Sequence, residues 1–165
     1  MVHLEQLITA WDEAQNEFSL AFKGLADEKA WVRPHPALLS IGELAGHVAF
    51  YENWTAVGAW GDIEGQDLPL ESFLGDRAFS YYTPQLANQV ILEVGSEAIA
   101  NEVKRVHEFA RAAVIELNPQ ITDPLPSNDR VTWQMFINYR IFHAAYHAGQ
   151  AYSVRHLLGD TPEDN

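Results

Sequence analysis

The stretch Phe142-His143-Ala144-Ala145-Tyr146-His147-Ala148-Gly149-Gln150 lies in the fourth of four helical patterns in the chain. Around it, apolar side chains and histidines recur every three or four residues, which is the period of one face of an α-helix. The positions on this face are Phe136, Arg140, His143, Ala144, His147, Ala151, Val154 and Leu158. The pattern predicts a helix that begins near Thr132 and ends at Gly159, with two histidines on its buried side.

Two other segments show the same period. Apolar side chains recur from Leu4 to Phe22, and Gly24 is the expected stop of this first helix. A later segment begins at Thr83-Pro84, an N-cap residue followed by proline, and continues to Leu117. Proline is favoured at the first position of a helix, where its missing N–H costs nothing. We therefore predict a first helix and a long third helix over these two segments.

The second helix has the clearest start signal. It opens with Ser40-Ile41-Gly42-Glu43, a capping box in which the Ser40 hydroxyl accepts from the Glu43 amide and the Glu43 carboxylate accepts from the Ser40 amide. Its apolar stripe runs Leu44, His47, Val48, Tyr51, Trp54 and Gly58. A third histidine, His47, is therefore expected on the buried side of a different helix.

Four long amphipathic segments predict an all-α fold, a four-helix bundle formed by residues 1–165 as a single domain. The short links between helices one and two, and between helices three and four, suit antiparallel neighbours. The link from Ala59 to Thr83 is too long for an ordinary connection, and such loops often line sites. No strand-like alternation is evident, and residues 120–130 are expected to form a polar link.

Composition excludes several classes of function. The formal net charge is −13, and there is no basic cluster, so binding to nucleic acid is not expected. No apolar run reaches the ~18 residues of a membrane span. The first residues lack the pattern of a signal peptide, so we expect a soluble cytoplasmic protein. There is no cysteine, which excludes disulfides and thiolate ligands from this chain.

The three histidines are the candidate functional residues. Because residues four apart lie on the same face of a helix, His143 and His147 can present nitrogens to one ion. His47 is the only other histidine on a predicted core stripe. Neutral imidazoles bind divalent transition metals, and three of them leave coordination positions open for a substrate. The pattern alone leaves the alternative open that these are hydrogen-bonded core histidines.

Several side chains within a turn or so of these histidines are candidates for orienting the imidazoles or for lining a substrate pocket. They are Tyr51, Glu52, Arg140, Tyr146 and Gln150. The metalloprotease motif is absent, because Ala144 stands where that motif needs glutamate. A buried Arg140 needs an anion, and we favour a protein carboxylate over a substrate carboxylate. Glu43 is expected to cap its helix and not to act as an acid or base.

The chain resembles the DinB-like superfamily, which includes thiol-dependent S-transferases and mycothiol-dependent maleylpyruvate isomerases. The resemblance covers nearly the whole chain, with the link from Ala59 to Thr83 as its least similar part. It rests on three stretches: Ala30-Trp31-Val32-Arg33-Pro34, Ser40 through His47 to Glu52-Asn53-Trp54, and His143 through Gln150 to Arg155-His156-Leu157-Leu158-Gly159.

This resemblance implies a bundle of up-down-down-up order with a long crossover between its second and third helices. It implies that His47, His143 and His147 hold a divalent metal, nickel or zinc, and that the protein forms a homodimer. It favours a transferase that uses a low-molecular-weight thiol on a small-molecule substrate. A metal-dependent hydrolase and a non-catalytic metal-binding or ligand-binding protein of the stress response are the alternatives.

Overall fold

The computed structural model describes residues 3–61, 65–80 and 91–162, and its long elements are helices. The helices and strands are α1 (Leu4–Leu20), α2 (Asp27–Ala30), α3 (Ile41–Thr55), α4 (Ser96–Leu117), β1 (Pro124–Leu125), β2 (Asn128–Thr132) and α5 (Trp133–Leu157). Two short 3₁₀ turns, Arg77–Phe79 and Ile91–Glu93, lie between α3 and α4. The prediction of an all-α bundle with a long link after its second long helix is confirmed.

The four long helices pack around a common core. α1 packs mainly against α5, and α3 packs mainly against α4, while contacts of α3 with α5 and of α1 with α4 complete the bundle. The helices joined by the shorter links, α1 with α3 and α4 with α5, are therefore not the principal neighbours that the sequence predicted. The reason is that the link from α1 to α3 includes α2, and the link from α4 to α5 includes a hairpin. Both links are long enough to carry the chain across the bundle.

Local signals explain where α3 and α5 begin. The Ser40 hydroxyl accepts a hydrogen bond from the Glu43 amide at 3.2 Å, and the Glu43 carboxylate accepts from the Ser40 amide at 2.9 Å. The predicted capping box is thus present, and the Arg33 guanidinium forms an ion pair with the same carboxylate. The Thr132 hydroxyl caps α5 by accepting from the Met135 amide at 3.3 Å.

The third predicted helix is shorter than expected at its start. Thr83 and Pro84 lie outside the described residues, and α4 begins only at Ser96 because Gly95 is extended. The Asp27 carboxylate accepts from the Ser96 amide at 2.8 Å and so caps this helix from 69 residues away. A cap supplied from so far along the chain leaves no local sequence signal.

The polar link expected over residues 120–130 contains a short hairpin that the sequence did not predict. β1 and β2 pair as an antiparallel hairpin, with Leu125 opposite Asn128. Leu125 and Val131 are buried against Trp133 and Phe136 at one end of the bundle. A strand of two residues is too short for alternation to be visible in the sequence. Among the helices of the described ranges, none has the length and apolarity needed to cross a bilayer.

Candidate metal centre

The structure brings together the three histidines that the sequence singled out. His47 on α3 meets His143 and His147 on α5, and one ligand atom from each lies within 4.8 Å of the others. The Nε2 atoms of His47 and His143 are 3.1 Å apart. His143 and His147 are buried and His47 is half-buried, so the cluster lies on the inner side of both helices.

Hydrogen bonds fix the orientation of two of the three rings. The Nδ1–H of His47 donates to the carbonyl oxygen of Phe79 at 2.9 Å, and the Nδ1–H of His147 donates to Oε1 of Gln150 at 2.7 Å. In each neutral ring the proton on Nδ1 leaves Nε2 with a free lone pair. Metal-binding histidines are typically held in this way by an acceptor on their other nitrogen.

The environment keeps all three imidazoles neutral. Burial lowers the pKa of His143 to about 2, and repulsion from His147, His47 and Arg140 further disfavours its protonation. Burial and the neighbouring His47 lower the pKa of His147 to about 4. Burial also lowers the pKa of His47, although backbone hydrogen bonds oppose this. Because metals bind the deprotonated imidazole, no proton has to be displaced at neutral pH.

The donor set fits a divalent transition metal. Two nitrogens bound to one tetrahedral zinc ion at its usual bond length are about 3.3 Å apart. The 3.1 Å between Nε2 of His47 and Nε2 of His143 is close to that value. Three neutral nitrogen ligands without a thiolate suit zinc, nickel, copper or iron(II). The geometry can therefore hold an ion through three protein ligands.

The family of the chain follows from a sequence comparison. Residues 10–151 match the family model of the DinB superfamily, a span that includes all three histidines. The chain belongs to the DinB superfamily. No curated protein sequence and no solved structure gave a significant match. In this DinB-superfamily chain a three-histidine group that could hold a metal ion lies between α3 and α5.

The histidines of this DinB-superfamily protein line an open cavity of about 840 Å³. Within the described ranges its other lining residues are Leu39, Tyr51, Trp60, Gly61, Tyr139, Arg140, Phe142, Tyr146 and Gln150. Four of the five neighbours singled out from the sequence, Tyr51, Arg140, Tyr146 and Gln150, are thus at the site. Gln150 links two of them, since its amide nitrogen donates to the Tyr146 hydroxyl at 3.2 Å.

Glu52 is the exception among these neighbours. Its carboxylate accepts from Nδ1 of His107 at 2.6 Å, and Nε2 of His107 donates to Asp12 at 2.9 Å. Burial alone would lower the pKa of His107, but these two carboxylates outweigh burial and raise it. The result is a buried imidazolium between two acids, in which Asp12 also binds Arg111 at 2.8 Å. Glu52 therefore holds α3 to α4 and makes no hydrogen bond to the histidine triad in the described structure.

Arg140 is buried beside the triad. Its side chain is 2 % exposed, and its guanidinium carbon lies 4.7 Å from the ring centre of Phe136 and 5.8 Å from that of Tyr51. Burial lowers its pKa to about 10, which still leaves the guanidinium charged at neutral pH. The favoured expectation of a protein carboxylate is met only through space: the charge of Glu52 opposes the lowering of the Arg140 pKa, but no ion pair joins the two among the described residues.

Sequence reasoning missed several residues of the site. Tyr139 and Phe142 precede His143 by four residues and one residue, and their exposed rings form part of the cavity wall. Their spacing from His143 could have indicated this. Trp60 and the Phe79 carbonyl come from the irregular link after α3, where the sequence has no period to place them.

Proposed function

We propose that the protein is a metal-dependent transferase that uses a low-molecular-weight thiol, with a nickel or zinc ion held by His47, His143 and His147. The observation that carries this proposal is the position of the three imidazoles on the wall of an open cavity. Three protein ligands leave room for a small molecule, whereas structural zinc sites are usually closed by four. When bound, the ion would supply the positive charge that keeps a cosubstrate thiol deprotonated at neutral pH.

The residues around the triad suit a thiol better than an activated water. The described lining of the cavity includes no aspartate or glutamate that could act as a general base. A hydrolase normally needs such a base to move the proton of the attacking water. A metal-bound thiol is deprotonated outright and needs none, whereas metal-bound water, with a pKa of about 7, is only partly deprotonated at neutral pH. For this reason the metal-dependent hydrolase is the second candidate.

The chain's own side chains would bind and orient the reactants. Gln150 and the Phe79 carbonyl hold two imidazoles with Nε2 available. The rings of Trp60, Tyr139 and Phe142 offer an apolar wall that would contact the non-polar part of a substrate and exclude water from it. The open cavity also argues against a purely structural metal site, because such a site does not need space for a ligand beside the ion.

The test is a thiol screen on untagged protein loaded with nickel or zinc. Glutathione, mycothiol and bacillithiol are each offered with 1-chloro-2,4-dinitrobenzene, and the thioether product and released chloride are measured. We expect turnover with at least one thiol and its loss in His147→Ala. The exposed His156 provides the matched control, because His156→Ala should retain activity. Absence of turnover with every thiol, combined with hydrolysis of ester or amide substrates, would replace the transferase by the hydrolase.

We also propose that the protein is a homodimer, which the resemblance first suggested. Support comes from an exposed apolar strip on α5 formed by Met135, Tyr139, Phe142 and Tyr146. These positions follow the helical period, so their side chains lie along one face. Contiguous exposed apolar surface of this kind is typical of an interaction surface.

A further inference from the structure

Arg140 is a buried, positively charged side chain in the cavity lining whose Nε lacks a hydrogen-bond partner. Its side chain is 2 % exposed, and its Nε has no hydrogen-bond partner within the described structure. Removing a guanidinium from water is costly unless an anion or several acceptors replace the lost hydration. The aromatic rings of Phe136 and Tyr51 lie against the guanidinium, with ring centres 4.7 Å and 5.8 Å from its carbon. Aromatic rings compensate only part of this cost.

Glu52 does not satisfy this arginine directly. The negative charge of Glu52 raises the pKa of Arg140 through space, but no ion pair joins the two among the described residues. Oε1 of Glu52 is instead hydrogen-bonded to His107. His107 in turn is bound by two carboxylates. The acid is therefore already matched by a cation on α4, while Nε of Arg140 has no partner among the described residues and the side chain lines the cavity.

The described lining of the cavity carries positive charge, although the protein as a whole is acidic. The full chain carries a formal net charge of −13, but the described lining of the cavity includes no carboxylate, and Arg140 is its one fixed charge. A divalent ion on the triad would add to this positive potential. Clefts lined by one sign of charge concentrate ligands of the opposite sign.

We propose that Arg140 binds a carboxylate group of the substrate in this cavity, so that the protein acts on small carboxylates with an apolar body. Arg140 precedes His143 by less than one helical turn, so the anion and the metal site would hold two parts of one reaction complex. The apolar body would contact Trp60, Tyr139 and Phe142, which line the same cavity. This inference rests on the proposed function only in taking the cavity as the substrate site.

The test compares ligands that differ in one charge. Benzoate and benzamide have the same ring, but only benzoate is an anion. We expect benzoate to bind the full-length protein at least tenfold more tightly than benzamide in NMR titrations, because a hydrogen bond to a charged group is typically stronger than a neutral one by an amount of that order. Arg140→Gln should remove this preference, and Arg140→Lys should restore part of it. The exposed Arg130 is the matched control, and Arg130→Gln should leave the preference intact.

Each outcome decides the proposal. Equal affinities for benzoate and benzamide would overturn the proposal. A preference for benzoate that survives Arg140→Gln would also overturn it, because the carboxylate would then bind another group, such as the metal. If Arg140→Gln does not fold, the Nε–H resonance of Arg140 in the wild-type protein provides the readout. We expect benzoate to shift this resonance, and a resonance that benzoate leaves unchanged while it binds would equally refute the proposal.

The experiment also separates this inference from the proposed function and identifies the source of the carboxylate. Titrations of metal-free protein retain the Arg140-dependent preference even if no thiol is ever turned over. On zinc-loaded protein, 3-mercaptopropionate and 2-mercaptoethanol form a second pair of ligands. An Arg140-dependent preference for 3-mercaptopropionate assigns the carboxylate to the thiol, whereas a preference confined to benzoate assigns it to the second substrate.

Discussion

The Nε2 atoms of His47 and His143 lie 3.1 Å apart, although 96 residues separate the two in the chain. Because Nδ1–H of His47 donates to the Phe79 carbonyl, Nε2 of His47 carries a lone pair. It can accept from the Nε2–H of a neutral His143 or, with His143 in its other tautomer, both nitrogens can bind one cation. Burial lowers the pKa of both rings, and repulsion from Arg140 adds to this effect, so an additional proton is a poor candidate for that cation. A divalent metal would bind both nitrogens together with that of His147, and this is the basis of the first prediction.

Loss of one histidine should abolish stoichiometric metal binding. Untagged wild-type protein is expected to contain about one nickel or zinc per chain, as measured by elemental analysis. His143→Ala should reduce this content well below one. A ligand at 1,000 times its Kd stabilises the folded state by about 4 kcal/mol, so added zinc should raise the Tm of the wild type and not that of the variant. His156→Ala should behave as the wild type, and equal Tm shifts in all three proteins would rule out the triad as the site.

Gln150 should set the metal affinity through His147. Its Oε1 accepts from Nδ1 of His147 at 2.7 Å. Gln150→Leu removes the acceptor, and loss of such a partner typically lowers metal affinity by about 10- to 100-fold. Gln150→Glu retains an acceptor at the same place and should retain the affinity. Competition with a chelator of known affinity measures both effects, and an unchanged affinity in Gln150→Leu would show that the hydrogen bond does not matter.

The sequence was sufficient to predict the triad because its signals are local. His143 and His147 are four residues apart on one helix, and His47 follows a capping box that fixes where its helix begins. Once both helices are in a bundle, the stripe that carries each histidine has to face the core. The prediction of the triad also required that α3 pack against α5, and the sequence only suggested that packing.

Glu52 illustrates where such reasoning fails. It follows His47 by five residues, which rotates it by about 140° around the helix axis. That rotation turns its carboxylate toward α4, where His107 binds it. Trp60 and Phe79 were missed for another reason, since they lie in the irregular link after α3. Contacts made by such a link depend on its tertiary position and leave no periodic trace in the sequence.

The buried His107 should make stability depend on pH. Its pKa is raised by Glu52 and Asp12, which together outweigh burial. A raised pKa in the folded state means that the stabilisation is complete below the ordinary value of about 6.5 and is lost as the pH rises through the raised value. His107→Gln leaves Glu52 buried without its partner, which we expect to cost about 3 kcal/mol at pH 6.

The measurement is urea unfolding of metal-free wild type and His107→Gln from pH 6 to pH 9. The difference in unfolding free energy should shrink as the pH rises, and the contributions of the other histidines cancel in this difference. NMR titration of His107 gives an independent check, because Glu52→Gln should lower its pKa. A difference that is constant over the whole range would contradict a charged His107.

The apolar strip on α5 should mediate the proposed dimer. Met135 is 54 % exposed and lies outside the cavity lining, so it reports on association without altering the candidate site. Sedimentation equilibrium is expected to give twice the chain mass for wild type. Met135→Glu places a charge in the interface and should shift the protein to monomer while metal content is retained. The exposed Leu117 on α4 is the control position, and Leu117→Glu should remain dimeric; a monomeric wild type would exclude the dimer.

Gly46 should be required for the position of His47. A Cβ at Gly46 would overlap the ring of Phe79, whose carbonyl accepts from Nδ1 of the neighbouring His47. Overpacking of this kind typically costs about 1–3 kcal/mol, and displacement of Phe79 would also disturb the hydrogen bond to His47. We therefore expect Gly46→Ala to lower both the unfolding free energy and the metal affinity. Gly149 on α5 is the matched control, because a Cβ there meets nothing within 4 Å.

Gly149→Ala should be neutral or stabilising, by up to about 1 kcal/mol, since alanine is the better helix former. Urea unfolding of the metal-free proteins separates the packing effect from the effect of the metal, and chelator competition then measures the affinity. If Gly46→Ala matched Gly149→Ala in both measurements, the Phe79 ring would have to move freely. The link after α3 would then have no part in orienting His47.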